Sequence, residues 1–208
     1  MAGKLPTGID VLDRMLGGGI PAGSVIALVA APASQSELIL YELTAARRTL
    51  YVTTHRSPES VGDALQRTST QVGNPNIQGL PGDSPLDHAI QQVRTLPDES
   101  NLIIDPIDLL EREDAGRYRH FMNTLQNHMI NTDSIAMLHC LEGRRTPGHR
   151  DMTEYMADVV FQLETTVSGD ALTNRLTVPK FRGGQAMDEP IKLELRDRVS
   201  IDTSRDIA

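Results

Sequence analysis

The chain has 208 residues, 39% hydrophobic but only 3% aromatic and with no tryptophan, so its core must be built from Leu, Ile, Val, Met and Ala. Its formal net charge of −8 opposes autonomous binding to nucleic acid, which requires Lys and Arg to displace counterions. No apolar run approaches the roughly 18 residues of a membrane span, no signal-like apolar stretch opens the chain, and Cys140 is its single cysteine. These features lead to the expectation of a cytoplasmic protein without membrane insertion. The three lysines (Lys4, Lys180 and Lys192) stand against seventeen arginines. Few lysines among many acids is a pattern of salt-loving archaea, and a GC-rich genome also favours Arg over Lys.

In chain order, residues 5–26 read L-P-T-G-I-D-V-L-D-R-M-L-G-G-G-I-P-A-G-S-V-I. An apolar strand is expected over 24–30 and a helix over 34–47, with a tight turn between them. Strands follow at 49–54, 75–80, 101–105, 134–140, 157–163, 174–179 and 191–195, with helices at 57–70, 84–96, 115–131 and a short one near 152–156. Alternation of strand and helix, with β-branched strands, predicts a parallel sheet covered on both faces. Arg175 to Val178, Ile191 to Leu195 and Val199 to Ile201, joined by Gly183-Gly184 and Asp-rich turns, read as antiparallel edge strands. Ser57-Pro58 and Ser84-Pro85 each place an N-cap Ser before a first-turn Pro, and Asp87 adds an acid near the second of these helix starts. No linker or internal repeat divides the chain, so residues 1–208 are read as one domain.

Strand, turn and helix form the setting of the phosphate loop G-x-x-x-x-G-K-[ST]. The eight positions here carry Ala31, Pro32, Ala33, Ser34, Gln35, Ser36, Glu37 and Leu38. With these flanks, the chain resembles the RecA/KaiC-like (RadA-related) ATPase domain family. Leu102-Ile103-Ile104-Asp105 resembles a Walker B strand, and Arg175 to Gly183 is similar to the KaiC-type R-x-L-x-V-x-K-x-R-G segment. The resemblance spans nearly the whole chain and is strongest at its two ends. It implies a RecA-like P-loop NTPase fold: a central, mostly parallel twisted sheet flanked by helices, with antiparallel C-terminal edge strands.

The chemistry of that loop is replaced. Glycines let the backbone approach phosphates, the Lys balances their charge, and the hydroxyl holds Mg²⁺. Here both glycines carry side chains, Leu38 has no oxygen for a metal, and Glu37 stands where the Lys would be. Two unit charges about 4 Å apart at an effective dielectric near 20 interact by roughly 4 kcal/mol, so reversing a sign moves the balance by about twice that. Ser34-Gln35-Ser36-Glu37 also reads as a capping box, with Ser34 accepting from the Glu37 N–H and the Glu37 carboxylate accepting from the Ser34 N–H. In KaiC-like proteins the second strand commonly ends in two acids, one of which polarises the attacking water. His55 and Arg56 occupy those positions. Asp105 matches a metal-contacting acid, but preceding Pro106 it reads better as the cap of a turn or helix.

Lys180 and Arg182 alternate about Phe181, so both point to one face. The matching pair in KaiC-like rings reaches across the subunit interface. The plainer reading is an edge strand protected by charge. Asp108, Glu111, Glu113 and Asp114 read as a solvated acidic turn, and residues 142–151 as a basic loop. His120 and His128 are two turns apart, and His139 and Cys140 face opposite ways, so no metal site is expected. Nor does any Ser-His-Asp arrangement or G-x-S-x-G appear.

The leading expectation is a non-catalytic KaiC/RecA-like protein without cofactor, a pseudo-ATPase acting through self-assembly or an active KaiC/RadA-like paralogue. One alternative is residual, atypical ATP hydrolysis. Another is a RadA-paralogue-like accessory role in recombination, with Arg144, Arg145 and Arg150 around a pore.

Overall fold

A computed structural model describes residues 3–168, 171–184, 187, 189–196 and 198–202. Asp188 and Asp197, expected in turns between the last strands, lie outside these residues.

Most of the chain is organised by one nine-stranded sheet, in the order β11-β10-β9-β8-β3-β7-β6-β4-β5. Six strands are parallel: β3 (Val25–Ala30), β4 (Thr49–Thr53), β5 (Asn76–Gly79), β6 (Asn101–Asp105), β7 (Ile135–Leu141) and β8 (Val159–Ser168). Three more, β9 (Ala171–Phe181), β10 (Ile191–Leu195) and β11 (Val199–Ile201), extend the β8 edge in antiparallel fashion. The predicted split between a parallel body and an antiparallel C-terminal edge is what the chain forms.

All six residues of β3 are buried because it sits inside the sheet with both faces covered. Side-chain alternation divides them. Ile26, Leu28 and Ala30 enter the core beneath α1 (Asp10–Met15), α2 (Glu37–Ala46) and α3 (Pro58–Arg67). Val25, Ala27 and Val29 enter the core beneath α4 (Pro85–Arg94) and α5 (Ala115–Asn131). The same parity governs the neighbouring strands: Tyr51, Ile103 and Met137 face α2, while Val52, Ile104 and Leu138 face away from it.

The residue 5–26 string is a structural clasp. Thr7 donates from both its backbone N–H and its Oγ1 to Asp13 Oδ1, at 2.7 and 2.8 Å, and its Oγ1 accepts from the Ile9 N–H. Lys4 Nζ donates to the Leu16 carbonyl at 2.6 Å, near the end of α1. Gly19, at φ +115°, lies so close to β1 (Lys4–Leu5) that a Cβ would overlap the Leu5 carbonyl. It leads into β2 (Ile20–Pro21), which pairs with β1. Neither this small two-stranded sheet nor α1 was expected, because two-residue strands and a six-residue helix carry too little periodicity to register.

One expected helix start and one expected capping bond differ. Helix α2 begins at Glu37 rather than at 34, after a tight turn in which the Ser34 N–H donates to the Ala31 carbonyl. Ser84 precedes α4 in a left-handed conformation (φ 50°) and makes no capping bond, whereas Ser57 caps α3 by accepting from the Ser60 N–H at 3.2 Å. Asp87, expected to support the α4 start, instead pairs with Arg117 on α5 at 2.9 Å.

Candidate functional site

The carboxyl ends of β3, β4, β6 and β7 lie side by side, where open α/β sheets place their ligands. Register and parity bring four polar side chains, Tyr51, Thr53, Asp105 and His139, onto the α2 face there. Thr53 pairs with Asp105 across β4 and β6, and Ile104 pairs with Leu138 across β6 and β7. One residue further, Asp105 and His139 are neighbours on that face, with Tyr51 two residues before Thr53.

These side chains join into one buried network. His139 Nδ1 lies 2.7 Å from Asp105 Oδ1, and His139 Nε2 lies 3.0 Å from Ser36 Oγ. The ionised carboxylate only accepts, so His139 Nδ1 donates to it, and Nε2 on the other side of the ring is hydrogen-bonded to the Ser36 hydroxyl. Ser34 Oγ is 3.1 Å from Ser36 Oγ and donates to the Ala31 carbonyl at 2.7 Å. On the other carboxylate oxygen, Asp105 Oδ2 accepts from the Tyr51 hydroxyl and from Arg56 Nη2, the latter at 2.9 Å. Arg56 Nη1 reaches the Tyr41 hydroxyl on α2 at 3.2 Å.

Burial alone would raise the Asp105 pKa, but the His139 hydrogen bond and charge, with help from Tyr51 and Arg56, hold it at about 2. Tyr51 is pushed well above the usual phenol range, first by its burial and then by the adjacent carboxylate.

Several sequence readings change here. The Ser34–Glu37 capping box does not form: Ser34 turns to Ala31 and Ser36, and the Glu37 carboxylate has no hydrogen bond or ion pair among the described residues. Asp105 caps no turn; its carboxylate is the centre of the network. Of the two replaced acidic positions, Arg56 reaches Asp105 while His55 stays exposed against Thr54. A Ser-His-Asp chain does exist, formed by Ser36, His139 and Asp105. Sequence reasoning missed it because the three lie far apart along the chain. The usable signal was parity, since His139 and Asp105 end adjacent parallel strands on one face. Ser36 and His139 are each only 2% exposed, so the chain acts as an internal tie and not as an accessible nucleophile.

The acidic turn and basic loop also prove to be partners. Asp108 and Glu111 lie in a 3-10 helix (Ile107–Arg112) and are buried rather than solvated, while Asp114 caps α5. Arg150, which opens α6 (Arg150–Met156), is buried against them. Its Nη2 lies 2.7 Å from Glu111 Oε2 and 3.0 Å from Asp108 Oδ1, and its Nη1 donates to the Leu141 carbonyl. Thr153 donates to Glu111 as well. Arg150 is therefore not available to line a pore, whereas Arg144 and Arg145 are exposed.

Lys180 and Arg182 share one face, as alternation predicts. Lys180 Nζ donates to the carbonyls of Glu154 and Tyr155 at 2.7 and 2.6 Å, and Arg182 Nη2 to that of Tyr155 at 2.8 Å. Both cations thus satisfy carbonyls at the C-terminal end of α6, where positive charge is favourable. Burial and the neighbouring Arg182 lower the Lys180 pKa.

The donor set does not fit a nucleotide with Mg²⁺ in the pose the resemblance implies. The loop's second glycine position holds a buried Ser36 tied to His139, its lysine position holds a carboxylate, and Asp105 already has donors on both oxygens. No group of three or more His, Cys, Asp or Glu capable of holding a metal ion occurs among the described residues, and no helix there is long and apolar enough to cross a membrane.

Sheet order and the antiparallel edge strands give the chain a KaiC-like RecA fold. The chain belongs to the family of unknown function DUF7125, whose model matches residues 4–208. It is 30% identical over 115 residues to the DNA repair protein RadA of Mycobacterium tuberculosis, in two strains. That match takes in 53% of this chain and only 24% of the RadA length. A crystal structure of a KaiC-like protein from the hyperthermophilic archaeon Pyrococcus horikoshii OT3 superposes with a TM-score of 0.77. It covers 96% of this chain and 100% of that one at 14% identity, a likeness of fold.

Proposed function

We propose that this protein is a non-catalytic member of the KaiC/RecA-like fold, a pseudo-ATPase that no longer uses nucleotide and acts through protein–protein assembly. The observation that carries this reading is Ser36. At a position where the loop backbone would lie open to phosphate, it turns inward and bonds to His139, so the protein's own side chains fill the site. Glu37 and Leu38 support the same conclusion by removing the cation and the metal-binding hydroxyl. Equilibrium dialysis with labelled ATP and Mg²⁺, followed by a phosphate-release assay, tests it. No retention and no release are expected; saturable binding at micromolar ATP would overturn it.

Assembly, in this reading, uses the Lys180 and Arg182 edge, either against Glu37 of a second copy or against the nucleotide of an active paralogue. Reversing charge at both Lys180 and Glu37 is expected to restore an assembly that either single reversal disrupts, with mass in solution as the readout; independent effects would count against the pairing. A second reading, an accessory role in DNA repair, is favoured by the RadA similarity. It requires binding to single-stranded DNA that falls steeply with salt.

A further inference from the structure

We infer that Arg56 is the permanent counter-ion of Asp105, a cation supplied by the chain itself at the place where this fold would take a divalent ion. The inference deepens the nucleotide-free reading above, on which it rests. Asp105 is only 4% exposed, and a buried carboxylate needs compensating charge. His139 compensates one oxygen, and Arg56, whose side chain is 33% exposed, brings a fixed positive charge to the other through Nη2 at 2.9 Å, on the same oxygen that accepts from Tyr51.

The guanidinium is fixed at both ends. At its root, the Arg56 carbonyl accepts from Thr53 Oγ1 at 2.9 Å, and the Arg56 N–H donates to that same hydroxyl at 3.3 Å. The adjacent Thr54 hydroxyl donates to the Pro106 carbonyl at 2.8 Å, tying the loop after β4 to the residue that follows Asp105. At its head, Arg56 donates to Tyr41 on α2. One planar side chain therefore joins the loop after β4 to β6 and α2. His139 closes the opposite side of the carboxylate, so the site is complete without a metal ion.

The test is a double-mutant cycle of Arg56→Gln and Asp105→Asn by urea denaturation, with EDTA or with millimolar Mg²⁺. The wild-type midpoint is the same in both. Each single variant shifts the midpoint down, and the double variant falls no further than the worse single one. Arg56→Lys keeps part of the stability. NMR of the Asp105 carboxyl carbon gives a readout that a merely structural role would not move: its titration shifts to higher pH in Arg56→Gln and much less in Arg56→Lys. Additive losses in the cycle, an unmoved Asp105 titration, or a wild-type midpoint raised by Mg²⁺ would overturn the assignment. ATP retained in dialysis would sink the nucleotide-free reading while leaving the Arg56–Asp105 coupling measurable. Lost coupling without ATP binding would sink the counter-ion alone.

Discussion

His139 Nδ1 donates to Asp105 Oδ1 across 2.7 Å at the ends of two adjacent parallel strands, and the opposite ring nitrogen lies 3.0 Å from the Ser36 hydroxyl just before α2. One imidazole thus connects the sheet to the phosphate loop. Removing it leaves a buried carboxylate oxygen without its partner, a loss of about 1–3 kcal/mol, and takes from the Ser36 hydroxyl one of its two hydrogen bonds. His139→Ala is therefore expected to lower unfolding free energy by about 1–3 kcal/mol in urea titrations. A loss below about 0.5 kcal/mol, the range of ordinary surface changes, would show that the ring is not a tie.

The same carboxylate sets the acid limb of stability. Its folded pKa of about 2 lies below the unfolded reference of 3.8. A depressed carboxyl pKa contributes stability that is present in full above the unfolded value and lost as pH falls through the folded one. The window is therefore about pH 4 down to about pH 2, and at 1.36 kcal/mol per pKa unit the contribution is on the order of 2 kcal/mol. Asp105→Asn is expected to flatten the pH dependence of the urea midpoint in that window. An acid limb identical to wild type would mean that other carboxyl groups carry it.

The parallel body of the sheet, its antiparallel edge and the position of the phosphate loop were legible because β3, β4, β6 and β7 are apolar runs bounded by turns, whereas the order of the strands was not. The site was only half legible. Residue identities at 31–38 revealed what the loop lacks, but not where Ser34 and Ser36 would turn, since that depends on His139 from a strand far along the chain. Reading 34–37 as a capping box used local spacing alone, and tertiary bonds outcompeted it. Asp108, Glu111 and Arg150 failed in the same way: charge suggested solvent, whereas mutual pairing permits burial.

Arg150 makes the sharpest contrast between the two views of the 142–151 loop. Truncating one partner of a buried, fully bonded ion cluster leaves Asp108 and Glu111 uncompensated, at a cost of about 3–5 kcal/mol. Arg150→Ala is expected to unfold near this penalty in denaturant melts, while Arg144→Ala and Arg145→Ala, at exposed positions, stay within about 0.5 kcal/mol of wild type. Three small and equal effects would return Arg150 to the surface.

Lys180 and Arg182 give a smaller, local signal. Each satisfies carbonyls at the end of α6, and a hydrogen bond made by a charged donor contributes about 1.5–3 kcal/mol when buried and less when exposed. Lys180→Met is expected to raise amide exchange over residues 153–157 more than elsewhere, with about 1 kcal/mol lost overall. Uniform exchange across the chain would separate Lys180 from α6.

Gly18 and Gly19 allow backbone strain to be separated from close approach. Both have φ values that side chains rarely adopt, +110° and +115°. A Cβ on Gly18 would meet nothing nearer than Lys4 Cδ at 3.9 Å, so Gly18→Ala carries the conformational cost alone, on the order of 1–3 kcal/mol. On Gly19 the same methyl would drive into the Leu5 carbonyl and force β1 away from β2. Gly19→Ala should therefore be the more destabilised of the two by at least about 1 kcal/mol, with excess amide exchange at Leu5 and Ile20. Equal losses in the two variants would mean that the clasp yields to the added methyl without strain.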